Sequence, residues 1–174
     1  MNADGSDVVR LTTDPNVDSM PAWSPTGSKI AFASTRLGNW DVFAMNPDGS
    51  GQAPLTTDAV DEYLPAWSPD GAKIAYVYRG TPETIRIMAS DGTYLATLGG
   101  ATDWTHPAWA PDGTRLAIAM RGPSSSWDIA IIGADGLVIA AYDTSSTVSS
   151  YVRSWSPDGE WIAFDRGDGE EVYT

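Results

Sequence analysis

Cysteine is absent from the 174 residues, which excludes disulfides and thiol chemistry. Histidine occurs once, as His106, so no chemistry that needs two imidazoles is available. Positive charge is scarce: ten Lys and Arg stand against 23 Asp and Glu, a net charge of −13. Nucleic acid and anionic membrane surfaces both attract basic patches, so neither is expected as a partner. No apolar run approaches the roughly 18 residues of a membrane-spanning helix. The opening Met1-Asn2-Ala3-Asp4-Gly5 does not read as a signal peptide, although a removed signal would leave the same picture.

What the chain has is a repeat. Pro65-Ala66-Trp67-Ser68-Pro69-Asp70-Gly71 is echoed by Pro21-Ala22-Trp23-Ser24-Pro25-Thr26-Gly27, by Pro107-Ala108-Trp109-Ala110-Pro111-Asp112-Gly113 and by Arg153-Ser154-Trp155-Ser156-Pro157-Asp158-Gly159. The tryptophans at 23, 67, 109 and 155 are spaced by 44, 42 and 46 residues. Short strands and turns at a period in the low forties are the signature of a propeller blade.

Each repeat reads as four strands. In the first copy these run from Met20 to Ser24, Lys29 to Ser34, Trp40 to Asn46 and Ala53 to Thr56, with hairpins at Pro25-Thr26-Gly27 and Pro47-Asp48-Gly49. The Asp-Gly pairs at 48, 70, 91, 112, 135 and 158 share this phase and are turns; none carries the alternating oxygen ligands of a calcium loop. In the second strands Ile30 and Phe32 alternate with Ala31 and Ala33, Ile74 and Tyr76 with Ala75 and Val77, and Leu116 and Ile118 with Ala117 and Ala119. Both faces are therefore buried, and the bulky face of one blade fits the small face of the next. The four tryptophans are expected on the bulky side, in the core.

These motifs, PAWSPDG followed by KIAY, DVFAMNPDGSG and PLT, resemble the TolB-type, WD-like β-propeller repeat. The resemblance implies an all-β propeller, here one domain over residues 1–174 with four TolB-like four-stranded blades. It also implies a periplasmic or extracellular location and a role in protein contacts or beside a hydrolase domain. Residues 1–12 match a fourth strand and 171–174 a third. The strand Val8, Val9, Arg10, Leu11, Thr12 is thus expected to complete the last blade beside Glu171, Val172, Tyr173 and Thr174, within the chain or between chains. A bulky face and a small face left at the two ends would drive head-to-tail self-assembly, as a shared eight-bladed ring or an open filament.

Candidate site residues fall in the crossovers before each inner strand, where function concentrates in loops. Asp18, Asp61 and Asp103 could hold a divalent cation such as Ca2+, or cap local structure; Glu62, Trp104 and His106 are placed at the channel mouth. Arg36, Arg79, Arg121 and Arg166 end second strands, and Asp41, Asp128 and Glu171 are their expected intrablade partners. Trp40 and Trp127, at one repeat position beside Asp41 and Asp128, read as packing residues. No serine sits in a nucleophile elbow and no carboxylate pair stands out. The expected function is a non-enzymatic module for protein–protein interaction and self-assembly, without a cofactor and with an unidentified protein partner besides itself. The alternative is a ligand-, cation- or carbohydrate-binding propeller, or the propeller part of a hydrolase, using the channel mouth.

Overall fold

In the computed structural model, residues 4–99, 102–122, 125–142 and 149–167 are described, together with the backbone of 171–173. Four antiparallel sheets follow one another along the chain. Blade 1 holds β1 (Asp18–Trp23), β2 (Ile30–Ser34), β3 (Asp41–Met45) and β4 (Ala53–Pro54). Blade 2 holds β5 (Glu62–Trp67), β6 (Lys73–Tyr78), β7 (Thr84–Ala89) and β8 (Tyr94–Leu98). Blade 3 holds β9 (Trp104–Trp109), β10 (Arg115–Arg121), β11 (Trp127–Gly133) and β12 (Val138–Tyr142). Blade 4 holds β13 (Ser150–Trp155), β14 (Ile162–Arg166) and β15 (Glu171–Tyr173), three strands among the described residues.

The turn chemistry forms as the sequence predicts. Asp48, Asp70, Asp91, Asp112, Asp135 and Asp158 each accept a hydrogen bond from the backbone N–H two residues on. The following glycine takes a positive φ that a side chain would resist, as at Gly92, φ 92°. Gly92 also presses on the preceding blade: a Cβ there would meet the Leu55 carbonyl oxygen at 2.9 Å.

Blades stack small face to bulky face. Ala31 and Val42 of blade 1 lie against Ile74, Tyr76 and Met88 of blade 2. Ala75, Val77 and Ile85 of blade 2 lie against Leu116, Ile118 and Ile132 of blade 3. Ala117 and Ile129 of blade 3 lie against Val152, Ile162 and Phe164 of blade 4. Alanine permits the close approach of sheets, and the isoleucines and phenylalanine fill what remains.

A hydrogen bond repeats at each joint. The indole N–H of Trp67 donates to the Ala22 carbonyl at 3.2 Å, that of Trp109 to Ala66 at 3.2 Å and that of Trp155 to Ala108 at 3.0 Å. Every acceptor belongs to the inner strand of the blade before. The adjoining turns interlock as well: Pro25 lies 3.6 Å from a Cβ position at Gly71, Pro69 3.3 Å from Gly113 and Pro111 3.5 Å from Gly159.

Two expectations are corrected at the ends. Trp23 is not core: it is 58% exposed, because no blade precedes it among the described residues. Residues Val8 to Thr12 form no strand and do not lie on β15 within the chain. Instead Leu11 packs on Ile30, Phe32, Phe43 and Met45 of blade 1, while Val8 and Val9 are exposed. Leu11 occupies on blade 1 the place that Leu55 holds on blade 2 and Leu98 on blade 3. The chain is thus an open stack: among the described residues the sheet of blade 4 does not pack on blade 1. Thr174 lies outside the described residues.

The exposure difference sets the mutational cost. Trp109→Ala is expected to cost about 3–5 kcal/mol, the scale for truncating a buried large aromatic. Trp23→Ala should cost less than about 1 kcal/mol in the monomer. Urea midpoints of the two variants, compared at low protein concentration, check this; equal losses would contradict the open stack.

Candidate functional site

The four inner strands share a single-residue bulge, between Ser19 and Ala22, Tyr63 and Ala66, Thr105 and Ala108, and Val152 and Ser154. Met20, Leu64 and His106 sit there with φ of 55°, 53° and 52°, each followed by proline. The right-handed helical region is disfavoured before proline, and a bulge residue left-handed here turns its side chain toward the centre. In blade 4 the position holds Val152, followed by Arg153 rather than proline. Its branched side chain resists that conformation, and Val152 is not among the positive-φ residues. Met20, Leu64, His106, Val152 and Arg153 line a shallow axial cavity of about 220 Å³.

His106 thus lines this cavity. Its ring lies 4.8 Å from that of Tyr151, and Nδ1 finds no hydrogen-bond partner. Burial, reinforced by the Arg153 charge, lowers its pKa to about 4, so the ring is neutral at pH 7. Trp104 is not a mouth residue available for stacking: it is 4% exposed and belongs to the core between blades 2 and 3.

The three crossover aspartates are not brought together. Each is engaged within its own blade, Asp18 by Arg36 at 2.9 Å, Asp61 by Arg79 at 3.4 Å and Asp103 by Arg121 at 3.1 Å. Nor do they share a phase. Strand register aligns Asp18 with Glu62, Trp104 and Ser150, one residue beyond the position of Asp61 and Asp103. A one-residue offset in a strand reverses the face. Among the described residues no three of His, Cys, Asp and Glu form a group that could hold a metal ion. The expected pairing of Arg36 with Asp41 and Arg121 with Asp128 is corrected by the same contacts; Asp41 and Asp128 are buried.

Asp61 and Asp103 have a second task. Asp61 Oδ1 accepts from the backbone N–H of Trp40 at 3.1 Å, and Asp103 Oδ1 from that of Glu83 at 2.9 Å. Ser149 Oγ accepts from Trp127 N–H at 3.3 Å in the same way. Each crossover therefore ties the third strand of one blade to the next blade, which is why the fourth needs no carboxylate.

Sequence reading placed Glu62 at the channel mouth; Glu62 does not line the axial cavity but belongs to a cluster that this reading missed. On the bulky face of blade 2, Arg86 stands where strand register places Phe43 in blade 1 and Ala130 in blade 3. Glu62, 1% exposed, faces it from β5 with Oε1 3.6 Å from Arg86 Nη1. Arg86 Nη1 also donates to Asp58 Oδ2 at 3.0 Å, and its guanidinium lies 3.3 Å from the centre of the Tyr78 ring. Glu62 Oε2 and Arg86 Nε are buried without a hydrogen-bond partner. Glu62, Arg86, Tyr76, Tyr94, Leu55 and Asp58 line a cleft of about 370 Å³ between blades 1 and 2. The signal was legible in Thr84–Ala89, where Arg86 is the one charge in the strand.

Burial raises the Glu62 pKa from 4.5 to about 7, against the Thr56 hydroxyl and Arg86, which favour ionisation, and with the nearby carboxylates of Asp58 and Asp41, which oppose it. From about pH 4.5 to 7 the folded chain keeps a proton on Glu62 that the unfolded chain has lost, so this group's stabilisation falls as pH rises. His106 acts oppositely between its folded value of about 4 and its ordinary 6.5, where only the unfolded chain holds the proton and stability rises with pH. Glu62→Gln removes the first effect alone. Its urea midpoint should gain on the parent's between about pH 5 and pH 7; a constant difference would contradict the buried, proton-holding Glu62.

Comparison with known proteins adds the following. The TolB beta propeller domain family model matches residues 1–100. No curated protein sequence matches the chain. Among solved structures, TolB from Acinetobacter baumannii superposes with a TM-score of 0.77 at 20% identity, covering 98% of this chain and 43% of that one. The putative TolB from Agrobacterium tumefaciens gives 0.72 at 18% identity, covering 92% and 74%. A Mycobacterium tuberculosis puromycin-hydrolyzing peptidase gives 0.67 at 19% identity, covering 91% and 30%. The chain thus spans less than half the length of the Acinetobacter protein, and at these identities the likeness establishes the fold.

Proposed function

We propose that this chain, which belongs to the TolB beta propeller domain family, is a non-catalytic binding module that docks blade to blade through the two ends of its stack, a second copy of itself being the first partner. One observation carries this reading: the joint between blades is made three times, and among the described residues both halves of a fourth have no partner. The donor half is Trp23 with Gly27, the latter having nothing within 4 Å of its Cβ position. The acceptor half is on blade 4, where Ser154 and Pro157 occupy the positions of Ala108 and Pro111.

Docking of one copy's blade 4 on another's blade 1 would let the Trp23 indole donate to the Ser154 carbonyl and bring Pro157 to Gly27. Residues 8–12 would then lie beside β15 of the other copy, since Leu11 already holds the place of a preceding blade's outer strand. The outer edge of β15, which pairs with no strand among the described residues, favours such an addition. The interface is head-to-tail, so it yields a ring or an open assembly according to the angle. Family resemblance supports an extracytoplasmic setting for this role.

Light scattering at micromolar concentration tests the reading. The intact chain should give at least twice its 18.5 kDa, and Trp23→Glu should return it to the monomer without loss of the folded circular-dichroism signature. A monodisperse 18.5 kDa species for the intact chain overturns self-association.

A further inference from the structure

We propose that the cleft between blades 1 and 2 binds an alkylammonium group, received by the buried carboxylate of Glu62. The cleft is a departure from the repeat. Its walls carry Glu62 and Arg86 at two positions that other blades fill with Asp18, Trp104 and Ser150, and with Phe43 and Ala130. A charge pair on a core-facing surface costs desolvation that an apolar pair avoids, and such local violations of a fold's own pattern concentrate at functional sites.

The unmet hydrogen-bonding need defines the ligand. Glu62 is 1% exposed, lines the cleft, and leaves Oε2 without a donor. Arg86 cannot supply that donor fully, because Nη1 is shared with Asp58 and the guanidinium lies over the Tyr78 ring. The charged groups around Glu62 are Asp58 from the crossover, Asp41 from β3 and Arg86 from β7, with the Tyr76 phenol from β6. Once Glu62 is ionised, above about pH 7, three carboxylates face one guanidinium, which repels an anion and favours a cation. The walls also provide Leu55 and the Tyr76 and Tyr94 rings, which suit a short aliphatic stem behind the charged head. About 370 Å³ admits one such chain.

Proton linkage supports the assignment. Glu62 titrates near pH 7, so a cation that requires the ionised carboxylate should displace its proton and bind more tightly at pH 8 than at pH 6. A primary ammonium with an ordinary pKa near 10.4 stays charged across that range.

The alkylammonium group has two sources, a free amine and the lysine side chain of a protein. Titration calorimetry of the full chain with n-butylammonium and with Nα-acetyl-lysine-N-methylamide separates them, the tighter ligand naming the source. Binding of at least one at about millimolar affinity is expected, at least about tenfold weaker in Glu62→Gln. Asp58→Asn, altering a half-exposed carboxylate and so leaving the fold intact, should weaken it several-fold. Repeating the parent titration near pH 7 in two buffers of different ionisation enthalpy should show protons released. No heat with either probe at about 10 mM, unchanged affinity in both variants, or binding without proton release overturns the site.

Discussion

The hydrogen bond from the inner-strand indole of blades 2, 3 and 4 to the carbonyl of the preceding blade is the constraint on which this architecture rests. A neutral hydrogen bond contributes only about 1 kcal/mol net, so its importance is geometric. It fixes where each tryptophan lies and how far apart two inner strands stand. That spacing demands alanine on the facing strand, as at Ala31, Ala75 and Ala117, and leaves room for Ile74, Leu116 and Ile162 opposite. Apolar burial then supplies the stabilisation, at about 25 cal/mol per Å².

Strand, turn and face assignments were legible because they depend on nearest neighbours in sequence. Asp-Gly at hairpins and the alternation of Ile and Ala in second strands each carry their own physical reason. The misplacements came from properties that only the assembled stack decides. Trp23 has the same neighbours in sequence as Trp67, and differs because the joint needs an acceptor from another blade. Asp18 looks equivalent to Asp61 until the bulge register shows it one residue later, on the other face. Arg86 was visible as a charge in an apolar strand, but its meaning required Glu62, which comes from a different strand, and Asp58, which comes from the crossover.

Blades 2 and 3 also show how the fold accommodates a cost. Glu62 is buried and His106 half-buried, and both are held in their neutral direction, one by gaining a proton and one by losing it. Their opposing pH dependences overlap between about pH 4.5 and 6.5, where each offsets part of the other. They lie in different environments, the carboxylate in an interblade cleft and the imidazole at the axis on a left-handed bulge. Neither replaces an indole-to-carbonyl hydrogen bond of the joints, and Glu62 shares the bulky face of blade 2 with the stacking residues Ile74, Tyr76 and Met88.

The acceptor in every joint is a main-chain carbonyl, and this bears on how such chains diversify. Any residue in the Ala22, Ala66 or Ala108 position presents the same oxygen, so a repeat can drift in side-chain identity without losing its grip on the next. A duplicated or exchanged segment of one period arrives with a donor for the blade behind it and an acceptor for the blade ahead. Lengthening or shortening the array therefore needs no coordinated change elsewhere, and novelty such as the charged face of blade 2 can arise in one copy while its neighbours keep the inherited pattern.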